Sequence, residues 1–322
     1  ARYEHNEGDN VSWNIKTYTA PTAAVPNPDN SNIGAVLSRA PVAKNEDDLF
    51  SYRAGLVFKP AENGTIYAAY SNSKTPSKAS VNGTCTLPSA TTPTTGTANC
   101  NVDPETAINY EIGTKWELFG SRLALTAAVF RNDRENYKVA DPGNPANPSG
   151  EQQLDGEARV DGVTLGVAGN ITDAWAVFAN FTYLDSEVLR GVSDNCLANP
   201  SAACGNAPPR QPDPLKGKPI SATPERAANL WTTYAWNQLT FGYGIAYQSG
   251  YEYYTGVYTN VGDIKGYTTH RAMVGYEVND QLSLQLNANN LFDKDYYIRV
   301  RNNGWATPGD ARQVVLSATY RF

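Results

Sequence analysis

Methionine and histidine are almost missing from this sequence, with one Met and two His in 322 residues. Only His5 and His270 could serve as imidazole bases, and neither sits in a GxSxG or HExxH setting, so the residues give no support to an enzyme. Long apolar runs are missing too. Nothing approaches the roughly 18 consecutive apolar residues of a membrane-spanning helix, and mean hydropathy is −0.47, so any span must be made of strands. Positive charge is in deficit, 26 basic against 32 acidic residues for a net charge of −6. That balance excludes a general nucleic-acid binder, which needs excess Lys and Arg for phosphate. The opening ARYEHNEGDN carries no initiator Met, basic n-region or apolar h-region, so no targeting peptide is visible. The expectation is that such a peptide was removed or that the chain is an internal piece of a longer protein.

What is abundant is tyrosine (20), glycine (26) and proline (20), a profile of strands and turns. The chain ends VVLSATYRF, where Val314, Leu316, Ala318, Tyr320 and Phe322 make one face, and Gln313, Val315, Ser317, Thr319 and Arg321 make the other. INYEIGTKWEL, residues 108–118, alternates in the same way, with Ile108, Tyr110, Ile112, Trp116 and Leu118 facing away from Asn109, Glu111, Lys115 and Glu117. Period-two alternation marks a strand with different solvents on its two sides. It recurs at 50–58, 66–70, 123–129, 163–167, 175–183, 228–234, 239–247, 272–276 and 282–288, and more weakly from the start to about Thr17, about a dozen strands in all.

The connections alternate between short (59–64, 119–121, 170–173, 236–238, 278–281) and long (18–49, 73–105, 133–156, 187–222, 250–265, 293–311). In an up-and-down antiparallel sheet every second connection lies at the same end, so the short turns share one rim and the long loops the other. A soluble sandwich or propeller would not sort its loops in this way. Trp116, Trp175, Tyr234, Trp236, Tyr276, Tyr320 and Phe322 cluster near the short turns or the C-terminus, and Tyr70, Tyr183 and Tyr247 near the long loops, as two aromatic girdles would. The predicted fold class is all-β: a transmembrane antiparallel up-and-down β-barrel whose last strand pairs with its first to remove sheet edges.

Four cysteines lie in two Pro-, Thr- and Asn-rich stretches. Four allow three pairings, and closing each loop on itself, Cys85 to Cys100 and Cys196 to Cys204, joins those nearest in sequence. The alternative is four unpaired thiols; a zinc site is disfavoured because no CxxC spacing or nearby His exists. Two disulfides would place the loops in an oxidising compartment. The stretch 132–157 carries Asp133, Glu135, Asp141, Glu151, Asp155 and Glu157, but without EF-hand spacing these read as solvated carboxylates, and no metal is assigned.

VDPETAINYEIGTKWELFGSRLALTAAVFRNDRENY (102–137), VDGVTLGVAGNITDAWAVFANFTYLDSEV (160–188), NANNLFDKDYY (287–297) and the terminal GDARQVVLSATYRF (309–322) resemble the barrel of TonB-dependent siderophore receptors. The last loop, with RVRNNGWATPGD (299–310), is most similar to the subgroup taking up catecholate siderophores. The resemblance implies an outer-membrane barrel of about 22 strands filled by an N-terminal plug, with this chain as the C-terminal part of the barrel, residues 1–322, and the plug and TonB box lying outside it; a self-contained barrel of about 12 strands is the alternative. It further implies a monomer in outer-membrane lipid that takes up a ferric siderophore through coupling to the TonB complex, with iron carried by the ligand and no cofactor of the protein's own. A passive porin, with Glu111, Lys115 and Glu117 lining its lumen, or an adhesin is the main alternative.

Ferric catecholates are anionic and aromatic, so a site needs Arg or Lys cations and flat Tyr or Trp surfaces. Candidates in the long loops are Arg299, Arg301 and Trp305; Tyr251, Tyr253 and Tyr254; Arg210, Lys216 and Lys218; and Lys74 and Lys78. For each residue taken alone, a solvated loop side chain or interfacial anchor is the competing reading.

Overall fold

The computed structural model describes residues 1–10, 13–18, 30–39, 43–76, 103–139, 141, 153–255, 259–300 and 305–322. In chain order the strands are β1 (Arg2–Asn10), β2 (Trp13–Ile15), β3 (Val36–Arg39), β4 (Ala43–Ala61), β5 (Gly64–Thr75), β6 (Glu105–Leu118), β7 (Leu123–Val139), β8 (Gln153–Asn170), β9 (Trp175–Arg190), β10 (Arg226–Trp236), β11 (Leu239–Gln248), β12 (Tyr251–Thr255), β13 (Thr259–Ile264), β14 (Tyr267–Glu277), β15 (Leu282–Asn289), β16 (Tyr297–Val300), β17 (Ala306–Pro308) and β18 (Gln313–Tyr320), with one short helix, α1 (Asp194–Ala198). Twelve strands form one antiparallel sheet in the order β1-β4-β5-β6-β7-β8-β9-β10-β11-β14-β15-β18, and the pairs β2–β3, β12–β13 and β16–β17 are hairpins inside the long connections.

Every strand anticipated from alternation is present, but several boundaries move. The first short connection shrinks to Glu62 and Asn63, because β4 runs through Ala61 and pairs it with Gly64. A second two-residue turn is Asn237 and Gln238 between the paired Trp236 and Leu239, with Asn237 at φ 53°, a left-handed conformation that asparagine tolerates better than most residues. The expectation of last-to-first pairing is not met among the described residues: β1 pairs only with β4 and β18 only with β15, so the sheet has two edges.

Cross-strand partners share a face, and the register carries one face around the sheet. Phe58 meets Ile66, Ile66 meets Thr114, Ile112 meets Val129, Val129 meets Val163, Phe181 meets Ala228, Leu230 meets Ile245, Val274 meets Leu286 and Leu286 meets Leu316. This face is apolar and uncovered: Leu56 is 79% exposed, Ile112 59% and Leu316 68%. Among the described residues only eight apolar side chains are buried, Cys196 and Cys204 included. That is far too small a core for a soluble domain of this size. The exposed face is a lipid-facing band, and the opposite face is the lumen.

The aromatic rims fall where alternation placed them. Trp175 pairs with Tyr234, Tyr234 with Phe241, and Leu239 with Tyr276 at the short-turn end of the outer face. At the other end Phe50, Tyr52, Tyr70 and Tyr110 form a continuous row, with ring centroids 5.8, 5.6 and 5.1 Å apart. Six residues of β6 separate Tyr110 from Trp116, roughly 20 Å of strand, which suits a tilted crossing of the hydrocarbon.

Candidate functional site

Three structures stand at the long-loop end. The first is a compact cap built from the connection between β9 and β10. The side chain of Ser193 caps α1, its Oγ accepting from the Cys196 amide at 3.1 Å while donating to buried Asp141 at 2.6 Å. The Cys196–Cys204 disulfide closes the loop, and Val192 packs with both cysteines in the small core. Asn206, 1% exposed, donates to the carbonyls of Cys196 and Pro212 at 2.7 and 2.8 Å and accepts from the Ser201 amide at 2.9 Å. Asp213 accepts from the Gly191 amide at 2.8 Å.

Tyr137 joins this cap to the tall strands beneath it, since its hydroxyl donates to the Arg190 carbonyl at 3.0 Å and Arg134 lies over its ring. Burial, reinforced by the nearby Asp213 carboxylate, pushes the Tyr137 hydroxyl up to about 12 from its ordinary 10. Because the folded value is the higher one, the neutral phenol stabilises the cap fully below pH 10, and that stabilisation is lost as pH rises towards 12. Tyrosinate absorbance should therefore show a late-titrating phenol that disappears in Y137F, together with alkaline release of the cap. A difference spectrum that is flat between pH 10 and 12 would contradict this placement.

The second structure is a tyrosine-lined mouth. The β12–β13 hairpin carries Tyr251 and Tyr253, with Tyr251 opposite Ile264 and Tyr253 opposite Gly262. The Glu252 carbonyl accepts from the Ala222 amide at 3.0 Å, which ties the hairpin to the end of the cap loop. Burial raises the Tyr251 hydroxyl above its usual range, with Tyr253 adding to the effect. Tyr251 is also an electrostatic neighbour of Tyr267 at the top of β14, and Tyr267 stacks on Tyr296 with centroids 4.5 Å apart. Tyr296 is seated over Gly309, where a Cβ would lie 2.1 Å from the ring. Beyond it the β16–β17 hairpin pairs Arg299 with Thr307, and Trp305, 73% exposed, stands at its tip.

The third lies deeper on the lumen wall. Trp231 of β10 faces the lumen across Gly244 of β11, and Gly244 pairs with Arg271 of β14. The two glycines Gly242 and Gly244 leave room for the indole, which a Cβ at either would approach to 2.7 Å, and the Arg271 guanidinium lies 4.5 Å from the indole centroid. Asn229 donates to Asn180 at 2.9 Å on the same wall. The result is a cation held on a flat ring inside the barrel, an arrangement that suits anionic aromatic ligands.

The sequence candidates divide accordingly. Tyr251, Tyr253, Arg299 and Trp305 stand at the mouth, whereas of Tyr254 only the backbone, opposite Asn260, is described, and Arg301 and Lys78 fall outside the described residues. Arg210 points back into the cap, donating to the Gly205 carbonyl at 3.1 Å. Lys216 and Lys218 are exposed and share the cap's closing turns. Lys74 is not in a loop at all: β5 continues through Thr75, and unbroken register puts Lys74 on the same face as Tyr70 and Tyr110, above the outer aromatic row. It is therefore an interfacial anchor and not a mouth residue. The disulfide expected at Cys196 and Cys204 is present, and Cys85 and Cys100 lie outside the described residues. Tyr267, Tyr296, Trp231 and Arg271 were not anticipated. Trp231 sits at an inward position of an anticipated strand, a signal that alternation contains when each inner face is read separately, whereas Tyr267 and Arg271 precede the anticipated 272–276 span on a strand that begins at Tyr267.

Residues 1–291 match the family described as TonB dependent receptor-like, beta-barrel. The probable TonB-dependent siderophore receptor PiuA of Acinetobacter baumannii is 36% identical over 288 residues, covering 87% of this chain and 35% of the relative. The catecholate siderophore receptor Fiu of Escherichia coli K12 is 31% identical over 293 residues, covering 90% of this chain and 35% of the relative. The crystal structure of the ferric-catecholate import receptor Fiu in its closed form superposes with a TM-score of 0.71 at 28% identity, over 99% of this chain and 42% of the other. The chain thus spans about a third of the length of the curated relatives it matches.

Proposed function

This chain belongs to the TonB-dependent receptor family, whose members are β-barrels of the outer membrane, and from that premise we propose that it acts as a receptor and active transporter of ferric siderophores of the catecholate type, energised through TonB. We read it as a monomeric transporter and not an enzyme, forming part of a larger barrel. The open edges at β1 and β18 and the third of the relatives' length support that last point. The observation that carries the ligand class is the mouth: Tyr251, Tyr267 and Tyr296 present neighbouring phenol rings beside the hairpin of Arg299 and Trp305, above the Trp231–Arg271 stack. Phenol and indole faces stack on catechol rings, and guanidinium groups offset the negative charge of the ferric complex. That two relatives are named as siderophore receptors, one of them catecholate, supports the same reading.

In the full-length receptor, removing the hairpin pair with R299A/W305A should weaken binding of a ferric catecholate about tenfold, near 1.4 kcal/mol. Y251A/Y253A should do likewise, while a ferric hydroxamate is little affected. Fluorescence quenching in detergent measures both. Unchanged catecholate affinity in both double variants would remove the mouth from the reading. Uptake that continues after collapse of the proton gradient would favour a passive porin instead.

A further inference from the structure

Near the start of the chain, β1 and β4 bring a histidine and three carboxylates to one place. Register sets Tyr3 opposite Phe50, His5 opposite Asp48 and Glu7 opposite Glu46. Burial alternates strictly along this stretch of β4, with Asp47 and Leu49 at 7% and 3% exposure on the inner side, so Glu46, Asp48 and Phe50 share the outer face with the Tyr52–Tyr70–Tyr110 row. The group therefore sits outside the barrel, just beyond the hydrocarbon boundary.

We propose that His5, Glu7 and Glu46 form a binding site for a divalent transition-metal cation, with Asp48 as the group that orients the imidazole. The His5 Nδ1 atom lies 2.8 Å from Asp48 Oδ1, which also accepts from the Tyr3 hydroxyl at 2.6 Å. Nε2 faces two carboxylates, with Glu7 Oε1 at 3.2 Å and Glu46 Oε1 at 3.7 Å, and the ligand atoms all fall within 4.8 Å of one another. A carboxylate accepting from Nδ1–H holds the ring so that, when a metal displaces the Nε2 proton, the Nε2 lone pair is directed at the ion. Two ligand atoms about 2.0–2.1 Å from a tetrahedral zinc ion stand about 3.4 Å apart, so the ion fits with small rotamer changes and with one position open to water.

Charge supplies a separate argument. Farther around the same face, carboxylates beyond the boundary are neutralised by arginine: Asp161 by Arg131 at 2.7 Å and Asp133 by Arg159 at 2.6 Å. For Glu7, Glu46 and Asp48 the described ion pairs all run to a single histidine. Three carboxylates around one imidazole leave a local excess of negative charge, which a divalent cation would offset while joining the first two strands of the sheet. Imidazole with carboxylates suits zinc, cobalt or nickel better than magnesium or calcium.

The test uses the full-length receptor in detergent, without a polyhistidine tag, stripped with EDTA and titrated calorimetrically with zinc chloride. One saturable zinc per chain is expected, lost in H5A and in E7Q/E46Q, and weakened about 10–100-fold in D48N, as for other groups that orient a metal-bound histidine. Cobalt(II) provides a second readout, with a visible ligand-field band in the wild type that H5A abolishes. E46Q, on the neighbouring strand, serves if H5A does not fold. Absence of saturable zinc from the wild type overturns the proposal, as does zinc affinity in H5A or E46Q equal to the wild type.

Discussion

Arginine in place of Ile112 is expected to destabilise the folded barrel by about 2–4 kcal/mol, the depth-dependent cost of a cation near the bilayer midplane. Ile112 is 59% exposed on the outer face, two residues from Tyr110 and four from Trp116, so its side chain meets hydrocarbon well inside both aromatic rows. The control lies one residue away. Glu111 faces the lumen, where it accepts from the Tyr67 hydroxyl at 2.6 Å, and glutamine there retains an acceptor in a polar setting, with a cost below about 1 kcal/mol. Urea titration in lipid vesicles, read by tryptophan fluorescence, gives both values. Equal costs at the two positions would mean that the two faces do not meet different solvents, and the membrane reading of the sheet would fail.

The second large effect is local. Asn206→Ala removes two donors and one acceptor from a fully buried amide, leaving the Cys196 and Pro212 carbonyls and the Ser201 amide without that partner. Unsatisfied buried polar groups cost about 1–3 kcal/mol each, enough to open a cap with so small a core. Removing the Cys196–Cys204 bridge, whose cysteines are 8 residues apart, should cost a further 2–3 kcal/mol or so through the freed loop entropy. Both losses fall on residues 191–218. Hydrogen exchange there is expected to accelerate several-hundredfold in N206A while the strand amides stay protected, because the ladder hydrogen bonds do not depend on the cap. Unchanged exchange in the loop would show that Asn206 does not hold it together.

Alternation found the strands because it reports a difference between solvents, and it lost them where that difference ends. On β7 it is clear from Leu123 to Val129, where outward residues meet lipid. From Arg131 to Asn136 both faces are polar, since both meet water, and the pattern reads as loop although the strand continues to Val139. The same effect hid the true position of Lys74, whose polar neighbours Ser71, Asn72 and Ser73 still belong to β5. At the mouth, tyrosines and arginines were legible as types. Which of them meet depends on register between strands far apart in sequence. Trp231 and Arg271 come together only because β11 lies between β10 and β14 with Gly244 opposite both, and nothing local to either residue announces it. The cap followed the opposite course: Cys196 and Cys204 were readable from proximity, while Asn206, whose buried amide makes three hydrogen bonds, resembles any other loop asparagine.

Strand length varies steeply around the sheet: 17 and 18 residues in β7 and β8, matched by 19 in β4, fall to 8 in both β15 and β18. At about 3.3 Å per residue the first pair measures nearly 60 Å along the strand and the last about 26 Å, barely enough to cross the bilayer. The described sheet is thus high at β4 and at β7 and β8 and low at β15 and β18. On the proposed transport reading, a molecule arriving from outside would face the tall β7–β8 side as a wall and find the lowest rim at β15 and β18.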